Sequence, residues 1–198
     1  MNKIGVFGGT FDPVHYGHIY LARQAADECS LDSIIVVPAK MQPFKLDRAL
    51  TQGEHRFNML KLAFPGDEAI SVSDIELKKN GISYTIDTLR EIKSLHSGAN
   101  ISFILGADAF LNIEKWKCPE ELIQDYSFII GARPGIEPEL GAFISRLQIS
   151  AAAINNRQVA VSSTEIKRML ESGESLSGMI PKEVERYIRE NGLYQGLY

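Results

Sequence analysis

Short, almost wholly apolar runs alternate with amphipathic stretches along the whole chain, which predicts an α/β fold on a mainly parallel sheet. The run at residues 4–7 predicts a first strand, and a helical pattern follows from about 17 to 29. Residues 33–37 are apolar nearly without a break, as a strand buried on both faces must be. A polar, proline-punctuated loop occupies 38–47, and Thr51-Gln52-Gly53-Glu54 has the spacing of a capping box opening a helix to about 63. Further strands are predicted over 69–73, 101–105, 126–130 and 158–161. Helices are predicted over 85–96, from Pro119, over 139–147, from the N-cap chemistry at Ser162 to about 172, and from Pro181 to a stop at Gly192. No repeat, low-complexity tract or long linker interrupts this order, so residues 1–198 are expected to form one doubly wound domain. Right-handed crossovers would bring the loops after the strands to one edge, where ligands of open α/β sheets bind.

The first such loop carries the strongest chemistry. Gly8-Gly9-Thr10-Phe11-Asp12-Pro13-Val14-His15-Tyr16-Gly17-His18 joins the first strand to its helix. Adjacent glycines let backbone amides approach a bulky anion, and the helix points its positive end at the same place. His15 and His18, three apart at the helix start, can share one face. The stretch is neither a P-loop nor the G-x-G-x-x-G dinucleotide fingerprint. It reads instead as a phosphate-handling site of the HxGH nucleotidyltransferase type.

Composition constrains the partners. A chain of 198 residues can bury a sizeable core. Its formal net charge of −4 offers no general basic surface, so nucleic acid is not an expected partner and an anion site must gather positive charge locally. No apolar run approaches the roughly 18–20 residues of a membrane span, and no signal-peptide core precedes the first strand. Cys29 and Cys118 lie far apart, which suits a reducing cytoplasm and excludes a cysteine-built zinc site; each is expected to be a small buried apolar residue.

Other loops at the same edge add candidates. Lys40 and Lys45 follow the second strand, and a lysine there can close over phosphates as a point charge or remain a solvated surface residue. Gly81-Ile82-Ser83-Tyr84-Thr85 leads into a helix whose first amides suit a carboxylate or phosphate, with Tyr84 either a stacking surface or core. In Gly106-Ala107-Asp108 the carboxylate can hold a ribose hydroxyl, orient a cation or merely cap a helix. Trp116, the single tryptophan, sits among charged residues and is expected to be partly exposed, able to stack on an aromatic ring. Arg133 can fork onto a phosphate or carboxylate, and Ser162 to Lys167 offers hydroxyls, amides and a cation at a helix start.

Together these segments resemble the bacterial nicotinate-nucleotide adenylyltransferases, essentially end to end. The resemblance rests on GGTFDPVHYGH at 8–18, PAKMQPFK at 38–45, HRFNML at 55–60, GISYTIDTL at 81–89, LGADAFLNIEKW at 105–116, ARPG at 132–135, SSTEIK at 162–167 and IPKEVERYIRENGLY at 180–194. It implies a Rossmann-like fold and transfer of AMP from ATP to nicotinate mononucleotide, giving deamido-NAD and pyrophosphate with magnesium. By motif, His15 and His18 would bind and polarise the ATP phosphates, with Gly8, Gly9, Thr10, Gly106 and Asp108 on the nucleotide side. Lys45 would reach phosphate, while Tyr84, Thr85 and Trp116 would form the pyridine-nucleotide pocket, and Arg133 would serve the acceptor or the nucleotide side. Ser163, Thr164 and Lys167 would take the triphosphate. Magnesium would be held mainly by triphosphate oxygens, since no carboxylate cage is evident. A homo-oligomer is left open.

The chain departs from that pattern twice. Relatives read Pro-Pro-His-Lys where Pro43-Phe44-Lys45 stands, and arginine where Lys167 stands, so charge is kept there without the bidentate fork. The rival on the same superfamily motif, a pantetheine-phosphate adenylyltransferase, has a shorter chain without the GISYTIDTL and Trp116 segments. A non-catalytic nucleotide sensor is disfavoured by both histidines, Lys45 and SSTEIK, and an oxidoreductase by the missing dinucleotide fingerprint.

Overall fold

The apolar runs become the strands of one sheet. A computed structural model describes residues 2–41, 50–132, 135–155 and 161–194. Among them lie β1 (Lys3–Gly9), β2 (Ser33–Pro38), β3 (Ile70–Val72), β4 (Asn100–Gly106), β5 (Ser127–Ala132) and β6 (Ala151–Asn155). All pairings are parallel, in the order β3-β2-β1-β4-β5-β6. That order reverses direction between β1 and β4, and the crevice beyond their carboxyl ends is where a doubly wound sheet takes its ligand.

Helices α1 (Tyr16–Glu28), α2 (Gly53–Ala63), α3 (Thr85–Leu95), α4 (Ala107–Phe110), α5 (Pro119–Asp125), α6 (Glu137–Leu147), α7 (Ser163–Ser172) and α8 (Lys182–Glu190) cover the two faces. Alternation along each strand sends side chains to opposite faces. Phe7, Ile34, Val36, Ile104, Ile129 and Ile154 enter a core shared with α1, α2, α7 and α8. Val6, Val37, Phe103, Leu105, Phe128 and Ile130 enter the other, against α3, α5 and α6.

Three local expectations need correction. The last strand is β6, not 158–161: Val161 lies outside any strand and 158–160 fall outside the described residues. The sequence Ala-Ala-Ala-Ile-Asn has little β propensity, and the sheet edge beside β5 decides its conformation. Helix α2 is capped at Gln52 rather than Thr51, with no side-chain cap bond. Thr51 is used otherwise, giving its carbonyl to Arg56 and its N–H, at a long 3.5 Å, to Asp12. Cys118 is exposed as the left-handed residue before α5 and Cys29 is half-buried, so neither is a fully buried apolar residue.

One interaction inside the fold stands out for its cost. Arg56, on α2, is 1% exposed. Its guanidinium donates to the carbonyls of Thr51 (2.8 Å), Thr10 (2.9 Å), Ala39 (2.7 Å) and, more loosely, Lys40 (3.5 Å). The loop after β1, the loop after β2 and the entry to α2 are thereby tied to one planar cation, whose fixed fork suits several acceptors at once. Arg56→Met should lower the unfolding free energy by about 3 kcal/mol, because each buried acceptor left without a donor costs roughly 1–3 kcal/mol. Urea unfolding measures this, and a loss under about 1 kcal/mol would contradict the role assigned to the guanidinium.

Candidate active site

Strand β1 runs through Gly8 and Gly9 before the loop turns at Thr10. A Cβ at Gly8 would stand 2.9 Å from the Phe103 ring and one at Gly9 2.8 Å from the Phe11 ring. The missing side chains therefore admit the protein's own aromatic rings as well as keeping the backbone open. Phe11 holds a left-handed backbone, φ 50°, although it is not glycine, a conformation that persists only where packing over-determines it. Its ring is 2% exposed, edge-on to Phe7 at 5.2 Å and to His18 at 4.9 Å. The strained residue thus positions an imidazole.

His15 is the N-cap of α1 and His18 its third residue. The His15 backbone N–H donates to His18 Nδ1 at 3.3 Å, the reciprocal half of a capping box made with imidazole instead of Glu or Gln. An accepting nitrogen carries no proton, so Nε2 is the protonated nitrogen of His18. The two rings stack at 3.7 Å with 27° between planes. Burial lowers the His15 pKa to about 4, so its imidazole is neutral at neutral pH. Both rings line a cleft that opens beyond β1 and β4.

The opposite wall comes from α3 and the segment after β4. Tyr84 caps α3 and Thr85 is its first residue, and both line the cleft, so α3 begins at this wall. Trp116 stands on the same wall, half-buried and edge-on to Phe103 at 6.1 Å, as its polar surroundings suggested. Tyr84 is half-buried too, with Lys117 Nζ 4.6 Å above its ring and 2.7 Å from Asp87. Gly106 and Asp108 also line the cleft. Asp108 is exposed inside α4, whose N-cap is Gly106, so it is not that helix's cap. Glu76 was missed by sequence reading: it is buried in the cleft wall, accepts from Thr88 Oγ1 at 2.7 Å, and its other oxygen has no partner among the described residues.

The wall between these is the start of α7. Ser162 accepts the Glu165 N–H at 3.1 Å, as the N-cap spacing predicts, and Ser163 and Thr164 line the cleft. Ser163 Oγ donates to the Pro13 carbonyl at 3.0 Å. Lys167 does not line the cleft; its ammonium is 2.6 Å from Asp12 Oδ2. Lys40 is engaged as well, its Nζ donating to the Lys79 carbonyl and its N–H to Ser83 Oγ at 3.0 Å, while the Ser83 N–H returns to the Met41 carbonyl at 2.9 Å. Lys45 and Arg133 lie outside the described residues.

The described residues enclose a cleft of about 1290 Å³. That exceeds the roughly 300–1,000 Å³ usual for one small ligand and leaves room for two. Helices α1, α3 and α7 all begin at its walls, placing positive dipole ends where an anionic ligand would lie. No group of three His, Cys, Asp or Glu side chains among the described residues is placed to hold a metal, and no described helix is long and apolar enough to cross a membrane.

Residues 6–169 match the cytidylyltransferase-like family. A Thermoanaerobacter sp. (strain X514) protein named probable nicotinate-nucleotide adenylyltransferase is 37% identical, over 98% of this chain and 94% of its own. One of the same name from Geobacillus thermodenitrificans is 36% identical, over 98% and 87%. Among solved structures, Plasmodium falciparum nicotinic acid mononucleotide adenylyltransferase complexed with NaAD superposes with a TM-score of 0.83 at 24% identity, covering 98% of each chain, which supports the fold.

The buried His15 gives the site a pH signature. An unfolded histidine titrates near 6.5 and the folded one at about 4, so the unfolded chain binds the extra proton between these values and stability falls as pH drops through them. Asp12 titrates below its ordinary 3.8 in the fold and adds to this only at lower pH. Melting temperatures measured near pH 7 and pH 5 should therefore fall less for His15→Asn than for the unchanged protein. Equal slopes would contradict a neutral, buried His15.

Proposed function

Because the chain belongs to the cytidylyltransferase-like family, among its nicotinate-nucleotide adenylyltransferases, we propose that it transfers the AMP moiety of ATP to nicotinate mononucleotide, forming deamido-NAD and pyrophosphate in NAD biosynthesis. The observation that carries this reading is the joining, in one cleft, of the His15–His18 helix start with the Tyr84, Thr85 and Trp116 wall. The first suits phosphates and the second a flat ring bearing a carboxylate.

In this reading the triphosphate lies against the start of α1, with His18 Nε2–H as a donor and neutral His15 beneath it. The amides at the start of α7, with Thr164, face its other side. An oxygen of the acceptor's phosphate attacks the α-phosphorus in line; the bond from that phosphorus to the β-bridging oxygen breaks, and its electron pair leaves with pyrophosphate. A phosphate needs no general base at neutral pH, so positioning and charge stabilisation carry the catalysis. Magnesium would arrive on the triphosphate, held by its oxygens, and offset charge on the leaving group. Gly8, Gly9, Thr10, Gly106 and Asp108, which line the cleft, would serve the nucleotide, and Lys45 and Arg133 are assigned phosphate and acceptor roles by their motifs alone.

Selection of the acid over the amide form of the acceptor falls to the first amides of α3 beside Tyr84 and Thr85. A site made of donors rejects an amide whose NH2 cannot accept those bonds.

Pyrophosphate release from magnesium and ATP, measured with nicotinate mononucleotide, nicotinamide mononucleotide or phosphopantetheine, separates the readings. Release is expected chiefly with the nicotinate form; equal efficiency with the nicotinamide form would refute the donor argument, and preference for phosphopantetheine would refute the acceptor. His18→Ala should fold and lose at least about 10²-fold in turnover, the usual effect of deleting one preorganised donor. Near-normal turnover would remove His18 from the mechanism.

A further inference from the structure

We propose that Lys167 and Tyr194 are positioning residues that hold the Asp12 carboxylate, and through it the phosphate loop, and that neither touches the nucleotide. This rests on the adenylyl-transfer reading above for its kinetic consequences, though not for its geometry. Asp12 is 3% exposed and lies between the strained Phe11 and Pro13, three residues before His15. Tyr194 donates its hydroxyl to Asp12 Oδ1 at 2.6 Å and Lys167 its ammonium to Oδ2 at 2.6 Å. The Lys167 ammonium also lies 5.1 Å over the Tyr194 ring.

None of the three lines the cleft, although Phe11 and His15 on one side and Ser162 to Glu165 on the other do. Lys167 therefore stands behind the wall that Ser163 and Thr164 present, with its side chain 16% exposed. Burial raises the Asp12 pKa, but the hydrogen bonds from Lys167, Tyr194 and Thr51 outweigh it and keep the group an anion. Burial and the facing Asp12 charge push the Tyr194 phenol up, so it remains a donor. A buried carboxylate with one ammonium and one phenol fixed on separate oxygens has a single orientation. Its backbone neighbours are held as well, Thr10 by Arg56 and Pro13 by Ser163. The consequence is a loop set before the nucleotide arrives.

This gives Lys167 a different task from the triphosphate contact implied by its motif, and it gives a role to Tyr194, the last residue of the 180–194 segment. A lysine serves as a point-charge partner for one carboxylate oxygen; an arginine's fork is not required there.

A double-mutant cycle with Lys167→Met and Asp12→Asn tests the assignment, with Tyr194→Phe as a variant that removes one oxygen and leaves the ring. The affinity for magnesium–ATP is read by calorimetry without acceptor, turnover at saturating substrates with nicotinate mononucleotide, and folding by thermal melting. Each single variant is expected to lose on the order of tenfold or more in turnover, because small misplacement of a phosphate site is costly. ATP affinity should change by less than about threefold, and the double variant should be no worse than the poorer single one, the mark of residues acting through one another. Should Lys167→Met not fold, Tyr194→Phe carries the same expectation. The proposal is overturned if Lys167→Met weakens ATP by about tenfold or more to the same extent with and without Asp12→Asn, as a direct triphosphate contact would. It is overturned equally if Tyr194→Phe leaves turnover unchanged. The calorimetric and melting cycles need no acceptor, so they judge it even if the unchanged protein fails to use nicotinate mononucleotide, a result that would sink the functional reading alone.

Discussion

A buried guanidinium sets the geometry on which the rest depends. Arg56 brings its charge out of water and is compensated by backbone carbonyls from three separate segments and by the nearby charges of Asp12 and Glu76. Burial lowers its pKa and those anions oppose the change. Such an ion is costly unless its donors are satisfied, so the segments that satisfy it are held in one arrangement. Thr10 belongs to the phosphate loop, while Ala39 and Lys40 begin the loop that leads to Lys45. Lys40 and Met41 are bonded in turn to Ser83, beside the cleft wall that carries Tyr84. The two halves of the cleft are joined through one side chain that does not itself line the cleft.

The cleft solves an electrostatic problem that the composition poses. In the proposed reaction a chain with net charge −4 receives two phosphate-bearing substrates. It does so with few side-chain cations at the reacting centre among the described residues. Three helix starts supply dipoles, those of α3 and α7 supply amides as well, His18 offers a ring N–H, and His15 is kept uncharged by burial. Lysines near the site are largely committed elsewhere: Lys40 to a carbonyl, Lys117 to Asp87 and Lys167 to Asp12. Fixed dipoles stabilise developing charge without having to reorganise, which is why they suit a reaction that needs positioning more than proton transfer.

Sequence reading reaches what is local. Strand 33–37, the Ser162 cap and the half-buried Trp116 follow from patterns within a few residues, and their structures agree. The Gly-Gly turn with its histidine pair is local too, and the rings do meet. The alanine-rich β6 was invisible because its conformation comes from β5. Thr51 looked like a cap because nothing nearby reveals that Arg56 and Asp12 claim its backbone. The supporting residues escape for the same reason: Arg56 lies 46 residues from Thr10, Lys167 155 from Asp12 and Tyr194 182 from it. Periodicity and spacing carry no trace of such separations. A buried carboxylate such as Glu76 likewise reads in sequence as one more charge in a polar turn.

The central claim is that the protein supplies no nucleophile: acceptor phosphate displaces pyrophosphate directly at the α-phosphorus, with His15 and His18 as positioning and stabilising groups. The stereochemical course at that phosphorus tests this most directly. With ATP made chiral at the α-phosphorus by a sulfur substituent and nicotinate mononucleotide as acceptor, a single in-line displacement predicts inverted configuration in the dinucleotide product. Retention would mean two displacements through a covalent adenylyl-enzyme, and would contradict the account.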